Sequence, residues 1–132
     1  MGKFDLSLIA SMILSKKGVR AVEGGIELTL TNILPALKVR EFTIEKISTY
    51  AVISIDNILL GDPHFRQMRV NLKGQEYTLE DLEKSGGNFE IPHRPHSKVF
   101  IPIECPAGKR IPIKLIIKKG SDIQVSLERK VY

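Results

Sequence analysis

The chain has 132 residues, 42% of them hydrophobic and 27% charged. That length suits one domain with one core, and that composition excludes wholesale disorder. No glycine period, sustained heptad or 18-residue apolar run is present, which removes collagen-like, coiled-coil and multi-span membrane classes. The net charge of +5 is uneven: residues 1–91 hold 11 Lys/Arg against 12 Asp/Glu, and residues 92–132 hold 9 against 3. There are 17 Ile but only 4 Asn and 3 Gln. β-Branched residues favour strands, and scarce amides with plentiful Lys and Glu lean toward a thermophile. The lone Cys105 cannot form an intrachain disulfide, so no oxidising compartment is needed and a cytoplasmic setting is expected.

Residues 1–18 differ in kind from the rest. Phe4 to Leu14 carries eight apolar residues in eleven and is followed by Lys16, Lys17 and Gly18. Asp5 as N-cap, the lysines in the last turn and Gly18 just beyond predict a short helix over Asp5 to Lys17. The run is too short to span a bilayer, lacks the flanks of a secretory signal, and has Leu6 where myristoylation needs Ser or Thr. The helix either closes one end of the β domain or docks on a partner or a membrane surface, with Leu6, Ile9 and Ile13 as its contact residues.

From residue 19 to 132 the period is two. Ile26, Leu28 and Leu30 alternate with polar residues after Gly24-Gly25. Leu37 and Val39 occupy one phase and Phe42 and Ile44 the other, which predicts a bulge near Arg40-Glu41 within one strand. Tyr50 to Ile55 and Ile58 to Leu60 flank Asp56-Asn57, a tight hairpin turn, and Gly61-Asp62-Pro63 ends that element. Met68, Val70 and Leu72 lead to a turn at Gly74 and a strand at Glu76-Tyr77. Thr78 with Asp81 has capping-box spacing, so residues 79–84 form a helical turn closed by Gly86-Gly87. Phe89–Ile91, Lys98–Cys105, Ile111–Lys118 and Ile123–Leu127 complete about eight or nine strands. This predicts an all-β fold, an immunoglobulin-like antiparallel sandwich, with a small closed barrel as second choice.

Pro102 and Pro112 fall inside predicted strands, where proline is confined to edges and bulges. They mark edges that are either guarded against aggregation or open to a partner strand. His64, His93 and His96, with Asp62 and Cys105, are the candidate metal ligands. His93-Arg94-Pro95-His96 assures only two, so an ordinary solvated loop and no cofactor are expected. Cys105 reads as a buried small hydrophobe. No catalytic motif occurs, so the chain is not expected to be an enzyme.

The expected function is a non-enzymatic structural or protein-interaction module that contacts itself or a partner through its helix and proline-marked edges. The alternative is nucleic-acid binding by Arg94, Lys98, Lys109, Arg110, Lys114, Lys118 and Lys119, joined by Arg129 and Lys130 on the basic C-terminal hairpin. Few aromatic residues accompany them, which disfavours single-strand stacking.

Overall fold

The computed structural model describes residues 4–5, 7–31, 33, 35–91, 97–119 and 121–132; for 4–5, 7–9, 119 and 121–122 it describes the backbone alone. In chain order the elements are β1 (Phe4–Asp5), α1 (Ser7–Ile13), β2 (Val19–Val22), β3 (Gly25–Leu30) and β4 (Leu37–Val39). There follow α2 (Ile44–Tyr50), β5 (Ala51–Ile55), β6 (Ile58–Leu59), α3 (Asp62–Gln67), β7 (Arg69–Leu72) and β8 (Gln75–Thr78). Last come α4 (Leu79–Lys84), β9 (Phe89–Ile91), β10 (Ser97–Ile101), β11 (Arg110–Lys119) and β12 (Ser121–Lys130). The protein is mostly β, as its alternating pattern requires.

Two five-stranded sheets face each other. One has the order β1-β12-β11-β5-β6 and the other β2-β3-β10-β7-β8; a small β4-β9 pair lies beside them. Pairing is antiparallel except between β1 and β12. The long β11–β12 hairpin sets the register of the first sheet, Ile113 standing opposite both Leu127 and Ile55. The core draws on both sheets, with Ile26 and Ile101 from one packed among Ile55, Ile111 and Ile113 from the other. Gly25 lets β3 lie close to β10, since the Ile101 carbonyl stands where a Cβ would go.

The sheets are tied at one end by the chain terminus. Beyond Lys130 the strand keeps its bonds on the β11 side, the Val131 N–H donating to the Lys109 carbonyl (2.8 Å) and the Gly108 N–H to the Val131 carbonyl (2.7 Å), while Tyr132 pairs with β2. There the Ala21 N–H donates to the Tyr132 carbonyl (2.7 Å) and the Tyr132 N–H to the Val19 carbonyl (3.0 Å). Val131, between them, is wholly buried with Val19, Ile26 and Ile111.

Several elements differ from expectation. The N-terminal helix covers only Ser7–Ile13, and Asp5 lies in a strand instead of capping it. Gly18 is no αL terminator; its place is set by packing, since a Cβ would press on Leu14 and on the Ser15 and Thr29 carbonyls. The predicted bulge at Arg40-Glu41 is a strand end followed by a helix. Glu41 turns the chain at φ 55°, and Thr43 caps α2, its hydroxyl accepting from the Lys46 N–H (3.3 Å). Apolar Ile44 and Ile47 therefore follow a helical spacing of three, not a strand phase. Helix α3 starts at Asp62-Pro63, where the sequence predicts only the end of the preceding element. The strand predicted over Lys98–Cys105 ends at Ile101. Pro102 follows it in a γ-turn, the Ile103 N–H donating to the Ile101 carbonyl (2.8 Å), that carries the chain between sheets.

Other features match. Asp56 and Asn57, at φ 53° and 64°, make the expected hairpin turn. The box at α4 is reciprocal: the Thr78 hydroxyl accepts from the Asp81 N–H and the Asp81 carboxylate from the Thr78 N–H, both at 3.0 Å. Those bonds hold the Asp81 carboxyl below its ordinary pKa.

Arg129 anchors α1. Its Nη2 and Nε donate to the Leu14 carbonyl at 2.8 and 3.1 Å, capping the chain just past the helix, and the Thr31 N–H donates to the Ile13 carbonyl (2.9 Å). Charge-assisted bonds of this kind contribute about 1.5–3 kcal/mol. Arg129→Met is expected to lower the unfolding free energy by about that amount, which moves the urea midpoint down with an unchanged slope. An unchanged midpoint would show that the anchor contributes nothing.

Candidate functional site

Chemistry-bearing side chains come first. His64 sits in the first turn of α3, where its Nδ1 accepts from the Gly61 N–H (2.9 Å), so one ring nitrogen already closes the helix start. Neighbouring Asp62 pairs with Arg66 (2.6 Å), which also reaches Glu80 (3.1 Å). His93, His96 and Arg94 lie outside the described residues, as does Leu6. Among the described residues no three His, Cys, Asp or Glu side chains group to hold a metal.

Cys105 is 3% exposed, its Sγ 3.9 Å from Asp56 Oδ2, and Lys109 Nζ lies 2.8 Å from the same carboxylate oxygen. Burial raises the thiol pKa and the Asp56 charge raises it further, so the thiol stays neutral at pH 7. A neutral thiol in the core is no nucleophile. Ellman's reagent at pH 7 is expected to modify Cys105 only as fast as the protein unfolds; rapid stoichiometric reaction of the folded protein would contradict this burial.

The basic residues do not form one surface. Side chains alternate along a strand, so Lys98, next to inward Val99, points out from the second sheet, while Lys114 and Lys118 point out from the first. Lys98 lies 3.9 Å from Glu27, Lys109 pairs with Asp56, and Arg110 pairs with Glu128 at 2.6 Å. Lys130 lies over the Tyr132 ring (5.4 Å), and Arg129 turns inward to α1. Lys114 and Lys118 carry no ion pair among the described residues; of the Lys119 side chain nothing is described.

Pro112 does not mark an edge, because β11 lies in the middle of its sheet. Its carbonyl accepts from the Asp56 N–H (2.8 Å) on the side where β5 turns away, so the missing proline N–H costs no ladder bond.

Two features that the sequence reading missed remain. The first is the β6 edge. Ile58 and Leu59 are 43% and 64% exposed, and no charge or proline interrupts Ile58-Leu59-Leu60. The other edges are managed. β2 is covered by residues 131–132 and β8 carries exposed Gln75 and Glu76; β1 and β6 are both two residues long, and of these β6 presents exposed apolar side chains.

The second is an apolar cavity between the sheets. At the tied end Ile55, Ile111 and Val131 are buried to 1% or less. Toward the β11–β12 turn the inward rows are only half-buried: Leu30 and Val99 on one side, Ile53, Leu115 and Val125 on the other. Between them lies a cavity of about 410 Å³, roofed by Ala10, Ile13 and Leu14 of the α1 segment. A second, of about 350 Å³, shares Ile13, Leu30 and Val99 with it and runs on under Leu79 and Leu82 of α4. The side chain of Ile9 is not described, and Ile13 belongs to this lining.

Compared with known proteins, the chain matches no family model and no curated protein is significantly similar to it.

Proposed function

We propose that the chain is a non-enzymatic interaction module on an immunoglobulin-like sandwich, and that it self-associates through the edge at β6. The strand orders support the architecture. β2-β3-β10-β7 reads as the A-B-E-D sheet of that fold and β12-β11-β5-β6 as G-F-C-C′, with β8 added beyond D. The observation that carries the function is the unguarded β6 edge. It presents free backbone groups beside exposed Ile58 and Leu59, the combination that accepts another strand.

Antiparallel pairing of β6 with its copy about a two-fold axis would join two five-stranded sheets into one and bury both leucines. A reduced, buried Cys105 fits a cytoplasmic setting, and no described helix is long and apolar enough to cross a membrane. Nucleic-acid binding by the C-terminal hairpin has less support, since Lys98 faces the opposite way and Lys109 and Arg110 are engaged with carboxylates.

Sedimentation equilibrium of the full chain tests the proposal. The expected result is a concentration-dependent dimer whose dissociation constant rises about tenfold or more in Leu59→Lys, the loss typical of an apolar anchor. A monomer at every concentration, or a dimer indifferent to Leu59→Lys, would overturn it.

A further inference from the structure

We infer that the cavity between the two sheets binds one unbranched aliphatic chain, with the polar end of that molecule left in water at the mouth. This site is separate from the β6 edge and stands or falls without it.

The lining decides the chemistry. Around the larger chamber the described residues are aliphatic apart from Met68 and Lys114, and Lys114 belongs to the outward phase of β11. No side chain there offers a hydrogen bond to a sugar, a nucleotide or an anion, and no aromatic ring offers a stacking face. Such walls reward only the removal of hydrocarbon from water.

Shape narrows the class further. The two chambers share Ile13, Leu30 and Val99 as lining, the larger lying between the sheets and the smaller toward α4. Each chamber lies in the 300–1,000 Å³ range typical of small-molecule sites (roughly). The half-burial of Leu30, Ile53, Val99, Leu115 and Val125, all pointing inward, is what an aliphatic occupant would complete.

The test is a methyl-resolved NMR titration of the full chain with dodecanoate below its micelle concentration. Expected are one saturable site and shifts confined to the methyls of Ile13, Leu30, Val99, Val125 and their neighbours in the lining. Affinity should rise about fourfold per added methylene from octanoate to dodecanoate. Dodecanol should produce the same pattern, since the chain and not the head is recognised. Val125→Phe, which fills the chamber, should weaken binding about tenfold or more, whereas Gln124→Phe on the outer face should not. Leu30→Phe serves as the second filling variant. Absence of shifts, shifts on the outer faces, or affinity independent of chain length would each overturn the proposal on the unaltered protein alone.

Discussion

The pairing of the chain terminus with β2 is the constraint on which the rest of the architecture depends. Two backbone hydrogen bonds between Tyr132 and the Val19–Ala21 segment tie the two sheets together at this end. Val131, held between them, seals the end where Val19, Ile26 and Ile111 are excluded from water. Covering β2 in this way also removes one of the edges that an open sheet leaves exposed. Toward the opposite end Leu30, Ile53 and Val99 still pack against the core but are only half-buried. The inward rows that form a close-packed core at one end thus line a cavity at the other.

That asymmetry divides the molecule's work. Buried Cys105 belongs to the same core as the sealed end, and the Asp56 carboxylate beside it pairs with exposed Lys109. At the other end, α1 serves as a roof whose position rests on Arg129 and on the bond from Thr31, rather than on a long amphipathic contact. A seven-residue helix has little stability of its own, so its place is set by these tertiary anchors. Arg129 shows how charge counts mislead. It belongs to the basic C-terminal third, yet its guanidinium is turned inward as a helix cap.

Much of the fold was legible from periodicity and turn chemistry. Ile26-Leu28-Leu30, the Asp56-Asn57 turn and the Thr78–Asp81 box are each decided by neighbours in sequence, and each stands where the residues place it. Errors fell where phase alone had to choose between periods. Leu37 to Ile44 was read as one bulged strand because apolar residues changed phase, whereas Thr43 starts a helix there. Pro102 and Pro112 were both taken for edge markers. The first terminates a strand, and the second sits in a central strand at the point where its neighbour turns away, a fact only the topology supplies. The cavity had no sequence signal at all. Alternation tells which side chains point inward but not how far apart the two inward faces lie. The β6 edge did have one, in the unbroken Ile58-Leu59-Leu60 run without a gatekeeping charge.

Native-state hydrogen exchange along β11 and β12 tests the central claim most directly, because both strands run from the sealed end to the open one. Amides near Ile111, Ile113 and Val131 should exchange only through global unfolding, while those near Leu115, Ile117 and Val125 should open locally at a lower free energy. Uniform protection along the hairpin, with both ends exchanging at the global rate, would contradict two facing sheets sealed at one end and only half-buried at the other.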